Sequence, residues 1–216
     1  MKTIRVHTNI VYNGWSAEDL ETGVGGSEEK LIEWARELAK DYDITIYHNG
    51  KHGVFDGVKY ADFREFKAWE YSDIFISFKA RQMLTSSISS QKRFHWTADI
   101  EEWEPFLKRD VDEIFVISDW HKSRMKPEGF PFTTLYLWAD LERLDRNKVE
   151  KEPNTMLYST SYDRGLEHLL RSWGTVKEKL KLDKLYLTYG WDFLDGMIAG
   201  NPGMQEWKKM MLKLME

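Results

Sequence analysis

Gly23, Gly25 and Gly26, followed at once by Ser27, Glu28 and Glu29, are the residues of this chain whose spacing most readily does chemistry. They follow a strand-like run, Ile4 to Asn9, and a loop, and they precede the helix-patterned Leu31-Ile32-Glu33-Trp34-Ala35-Arg36-Glu37-Leu38. Glycines let a backbone come close to a ligand, and a helix start offers unpaired N–H groups and the positive end of the macrodipole. The chemistry is anion binding, and a phosphate fits the place. Glu28 stands where a dinucleotide fingerprint wants its third glycine, and no Gly-Lys-Ser/Thr follows to make a P-loop. The same residues admit a plainer reading: a tight loop in which Ser27 caps the helix while Glu28 and Glu29 satisfy its dipole.

Composition narrows the other chemistries. The absence of cysteine excludes disulfides, zinc–thiolate sites and thiol nucleophiles. His48 and His52 have the offset of a metal pair, but Asn49-Gly50 breaks any helix between them, so no metal is expected. His121 and His168 fall in helical stretches and are expected to face solvent or to pack. A net charge of −5 with interspersed signs supplies no basic stripe, which argues against nucleic acid as a partner. The start Met1-Lys2-Thr3-Ile4-Arg5 runs straight into a strand pattern, and no apolar run approaches the ~18 residues of a membrane span. A cytoplasmic protein without a transmembrane segment is the expectation. Ten tryptophans and ten tyrosines could line a sugar surface, but core filling is the expected role.

The elements that position these residues read as an α/β fold. Strand-length apolar runs recur at Ile4 to Asn9, Asp43 to His48, Val58 to Phe63, Asp73 to Phe78, Arg93 to Thr97, Glu113 to Ser118 and Thr134 to Trp138. Ile74-Phe75-Ile76 and Ile114-Phe115-Val116-Ile117 are continuous, the pattern of strands buried on both faces, so a Rossmann-like parallel sheet is predicted. A first helix is predicted from Ser27 to Lys40 with Leu31, Trp34, Ala35 and Leu38 inward and a charged, solvated opposite face. Another starts at Asp119 and stops at Pro127-Glu128-Gly129. The first domain is placed at residues 1–140, a charge-dense linker at 141–153, and the start of a second Rossmann-like domain at 154–216. In that part Thr155 to Ser159 and Leu185 to Tyr189 read as strands, and Leu166, Leu169, Leu170, Trp173, Val176 and Leu180 form one helical stripe.

Four segments in this order carry a resemblance. Gly25-Gly26-Ser27-Glu28 with its helix and Asp43-Ile44-Thr45-Ile46-Tyr47, then Val111 to Lys122, then Tyr158 to Leu166, then Leu185 to Gly190, resemble GT-B glycosyltransferases of the family 4 type. The resemblance implies retaining transfer from a nucleotide-sugar co-substrate, with no other cofactor and no obligatory metal, to a glycan, lipid-linked or small-molecule acceptor. It implies that the donor diphosphate is held by Gly25, Gly26 and Ser27 on one side and by Arg164 on the other, a guanidinium being a charged bidentate partner for phosphate.

Two departures stand out. The family's pair of glutamates separated by seven intervening residues has no counterpart after Asn154, so the resemblance implies a donor domain cut short, weak or absent transfer by this length of chain, and uncovered surfaces that favour a homodimer. In Arg93-Phe94-His95-Trp96-Thr97-Ala98-Asp99 the family's histidine position falls on Ala98, and His95, three residues off along a strand, faces the opposite way. Asp99 is left as the catalytic candidate, orienting the attacking hydroxyl or accepting its proton. The rival expectations are a phosphate-binding α/β module without catalysis and another sugar-nucleotide enzyme.

Overall fold

The computed structural model describes residues 1–8, 14–85, 87–101, 110–125, 129–146 and 148–216, without the side chains of 193 and 197. Contacts divide it into two compact units, Met1–Arg146 and Asn147–Glu216. Asn9, at the end of the first expected strand, and Pro127-Glu128, at the expected helix stop, lie outside the described residues.

The first unit is α/β, with a mostly parallel sheet. Its described strands are β1 (Lys2–Thr8), β2 (Tyr42–His48), β3 (Gly53–Phe55), β4 (Val58–Asp62), β5 (Ser72–Phe78), β6 (Ser90–Trp96), β7 (Glu113–Val116) and β8 (Phe132–Thr134). They stand in the order β3-β4-β2-β1-β5-β6-β7-β8, and every neighbouring pair is parallel except β3 with β4. Helix α1 (Gly26–Leu38) lays Leu31, Ile32 and Ala35 on one face, against Ile4, Val6, Ile44, Ile46 and Ile76. Phe75, Ile114 and Val116 point to the other face and pack with Leu84, Ile88, Val111 and Met125, the last from α2 (Asp119–Met125). Burial on both faces is why these strands read as continuous apolar runs rather than alternating ones.

Three local expectations need correction. The last strand of the sheet lies at Phe132–Thr134, not at Thr134 to Trp138; Leu135 and Trp138 turn inward to pack on the core, with the Trp138 ring 5.8 Å from that of Trp96. Ser27 does not cap α1: the N-cap is Gly25, which has no side chain to offer. The charge-dense linker is helical at its start, because Leu141–Arg146 forms α3 and belongs to the first unit. Arg143 of α3 donates to Glu29, to Glu33 at 3.1 Å and to the Leu20 carbonyl at 2.8 Å, and Arg36 meets Asp140 at 2.8 Å. The supposedly solvated face of α1 is therefore paired, and Glu33 is buried on it.

Where β2 ends, His48 is wholly buried beneath Trp15, with ring centres 4.5 Å apart, and beside Tyr60 at 5.5 Å. Its Nδ1 accepts the Gly50 N–H at 3.3 Å, and its buried Nε2 has no hydrogen-bond partner among the described residues. Burial first, and the neighbouring His52 second, push the imidazole down from 6.5 to about 4. Between those values the unfolded chain takes up a proton that the folded chain refuses, so stability is full above pH 6.5 and drains as the pH falls toward 4. The expected loss is ~2 kcal/mol. Urea midpoints at pH 7 and pH 4.5 for the wild type and for His48→Phe check it; identical pH dependence in both proteins would refute the assignment.

The second unit pairs β9 (Thr155–Tyr158) with β10 (Lys184–Leu187) in parallel and packs them against α4 (Leu166–Leu180) and α6 (Pro202–Met215), with α5 (Asp192–Ile198) between β10 and α6 in sequence. Tyr162, Leu166, Leu194 and Met211 make its core. The α4 stripe is covered at its start, through Leu166, Leu169 and Leu170, and open at its end, where Leu180 is exposed. Among the described residues, no helix is long and apolar enough to cross a membrane.

Candidate functional site

The strand order runs outward from β1 in two directions, through β2 to β4 and through β5 to β8. In open parallel sheets the crevice at such a reversal, outside the carboxyl ends of the strands, is where ligands bind. Three groups meet at this edge. Lys79 directly follows β5, Asp99 lies three residues past β6, and α1 starts at Gly26.

Lys79 is the central group, and sequence reasoning passed over it. Its φ of +53° is left-handed, a conformation that costs a side-chain-bearing residue ~1 kcal/mol or more and so asks for a reason. Its N–H donates to the Trp96 carbonyl at 2.9 Å, and its ammonium lies 3.6 Å from Glu28 and 3.8 Å from Asp99. Only 18% of the side chain is exposed, as against 62% for Asp99. The lysine thus stands between one covered carboxylate and one open to solvent.

Asp99 is held by its main chain while its carboxylate stays free to act. Thr97 Oγ1 accepts the Asp99 N–H at 3.1 Å and donates to the Asp99 carbonyl at 3.2 Å. The same carbonyl accepts from His121 Nε2 at 2.8 Å, the tautomer being set by Nδ1, which accepts the Ile117 N–H at 3.4 Å. His121 is buried, so of the two expectations for it packing is the outcome.

Gly25, Gly26 and Ser27 occupy the start of α1 as the sequence indicated, and the Glu28 carboxylate crowds that start. A Cβ on Gly25 would collide with the carboxylate of Glu28, which folds back over the helix start; a Cβ on Gly26 would meet nothing within 4 Å. An external phosphate must displace that carboxylate. Glu28→Gln is accordingly expected to raise affinity for inorganic diphosphate about fivefold, ~1 kcal/mol, since it removes a competing charge from the helix start and leaves Lys79 to the ligand. Calorimetric titration checks this, and unchanged or weaker binding would show that the Glu28 carboxylate does not compete for the seat.

Arg164 lies in the second unit, in the turn before α4, where its N–H donates to the Ser161 carbonyl at 3.0 Å and its carbonyl accepts the Tyr158 hydroxyl at 3.0 Å. Its side chain is exposed. Next to it a depression of about 230 Å³ is lined by Tyr162, Asp163, Glu167, His168 and Trp207 among others, but Arg164 does not line it. Glu167 there accepts from Arg171 at 2.8 Å and from the Trp207 indole at 3.2 Å, so the walls are acidic and satisfied, which does not suit a diphosphate. Among the described residues no group of three or more histidines and carboxylates could hold a metal ion. No protein-family model matches the chain, and no curated protein matches it.

Proposed function

We propose that the chain is a glycosyltransferase of the GT-B kind, using a nucleotide-sugar donor and a hydroxylated acceptor. The observation that supports this most is the meeting of Lys79 and Asp99 at the carboxyl edge of the sheet, where its strand order reverses. A solvent-open carboxylate beside a lysine can accept a hydrogen bond, or a proton, from a sugar hydroxyl, and the ammonium can balance charge that develops nearby. Gly25, Gly26 and Ser27 offer main-chain donors once Glu28 moves aside. The second unit, taken by itself, carries an exposed guanidinium at Arg164. Transfer then rests on holding two substrates in register more than on covalent chemistry.

The experiment is a calorimetric and transfer screen of nucleoside diphosphates and nucleotide sugars. Arg164→Ala is expected to weaken diphosphate binding about tenfold and Arg164→Lys less, because lysine keeps the charge and loses the bidentate fork. Equal affinities for the wild type and both variants would show that Arg164 does not bind the diphosphate, and no binding by the wild type to any nucleotide would overturn the reading. The Glu28 carboxylate on the helix start favours a second reading, a non-catalytic α/β module whose anion seat opens only to a strong competitor. Binding of free diphosphate without any sugar transfer would select it.

A further inference from the structure

Behind the Lys79–Asp99 edge runs a buried polar row that the proposed chemistry does not use. In the sheet register His7 of β1 stands beside Ser77 of β5, and Ser77 beside His95 of β6. All three are buried, each one residue short of its strand's end. A row of this kind is expensive in a sheet interior unless its bonds fix something.

The bonds lead to the two functional turns. Ser77 donates its single hydroxyl proton to the Ala80 carbonyl at 2.6 Å, closing the turn 77–80 that forces Lys79 into its left-handed conformation. On the same oxygen, His95 Nδ1 makes a hydrogen bond with Ser77 Oγ at 3.2 Å. On the other side of the ring, Nε2 meets the Glu101 carboxylate at 2.9 Å. Glu101 lies two residues past Asp99, and its own N–H donates to the Met125 sulfur at 3.4 Å. One imidazole thus ties the Lys79 turn to the Asp99 turn.

We infer that His95 is a positioning residue whose ring sets the Lys79 ammonium and the Asp99 carboxylate in register. The inference deepens the proposed site and rests on the reading of Lys79 and Asp99 as its ligand-facing pair. The sequence expectation concerned only whether His95 could replace the family's histidine at the Ala98 position; the part inferred for it is a different one, exerted through its bonds to Ser77 and Glu101. A side chain with no exposed surface, bonded to one residue in each turn, holds both turns to the rigid end of β6.

The test reads the pair without any ligand. Reductive methylation with 13C-formaldehyde keeps the lysine charge and gives each lysine a methyl signal, and Lys79→Arg identifies that of Lys79. In the wild-type background Asp99→Asn is expected to shift that signal. In His95→Leu, and in Ser77→Ala, the shift caused by Asp99→Asn is expected to fall to less than half, with circular dichroism and thermal unfolding showing a folded protein. Ser77→Ala removes one hydroxyl and leaves the ladder intact, so it carries the test alone if His95→Leu does not fold. A full-sized shift in either folded variant overturns the inference. Because no nucleotide or sugar is present, a failed ligand screen with the coupling intact would overturn the proposed function and leave the role of His95 standing.

Discussion

A single methyl group added at Gly50 is expected to cost the first unit at least ~3 kcal/mol, since overpacking against backbone has no soft neighbour to relax. The Cβ of Gly50→Ala would lie 1.6 Å from the Trp15 carbonyl oxygen, and within 2.7 Å of the Trp15 nitrogen and carbonyl carbon. The opposite side of the contact is also tight, for a Cβ on Gly14, itself at φ +64°, would come within 2.8 Å of the Asn49 oxygen. Two stretches of main chain clasp here because neither carries a side chain at the crossing. The clasp seats Trp15 over His48, and Ser16 and Asp19 close the short turn that follows it with a capping box. Gly26→Ala is the matched control: its Cβ meets nothing, so alanine at this helical position is expected to be neutral or slightly stabilising. Thermal and urea unfolding of the two variants decide the matter, and a Gly50→Ala protein as stable as Gly26→Ala would refute the clasp.

That contrast measures what the sequence made legible. Gly25 and Gly26 drew attention because they precede a helix pattern, while Gly50 read only as a helix breaker; its partner, Gly14, lies far from it along the chain. Local signals came through well. The continuous runs of β5 and β7 announced a parallel sheet buried on both faces, and α1 announced its inner stripe. The hairpin at Phe55-Asp56-Gly57-Val58 went unread: Asp56 and Gly57 turn between β3 and β4, both at positive φ, as the favoured two-residue turn requires. What did not come through is long-range pairing. Lys79 gains its place from a turn closed by Ser77, a helix start far upstream and a strand end far downstream, and no spacing rule joins those three. For His95, strand alternation says nothing of Ser77 and Glu101, the two partners its ring meets.

The charged run after Asp140 shows the same limit, and removing its central arginine is the sharper test. Arg143→Met is expected to destabilise the first unit by ~2 to 3 kcal/mol, because deleting one partner of a covered ion pair leaves uncompensated carboxylates behind. Burial works against the charge of Arg143, yet Glu29 and Glu33 outweigh it and hold the guanidinium above its ordinary value. Glu33 is the costly orphan: its side chain is 4% exposed, and among the described residues it would keep Lys30 alone, at 2.9 Å. Glu29, 26% exposed, can turn to water, which keeps the expected loss below the upper end for fully buried pairs. If desolvation of Glu33 is the main cost, Glu33→Met together with Arg143→Met should recover part of the loss, since an apolar pair of similar volume asks for no partner. The measurement is urea unfolding read by hydrogen exchange of the α1 and β2 amides, which follows the first unit without interference from the second. A single variant within ~0.5 kcal/mol of the wild type would mean that the bridge is an ordinary surface contact. The expected loss would instead show α3 to be a working part of the scaffold, clamping the helix whose first turn carries Gly26, Ser27 and Glu28.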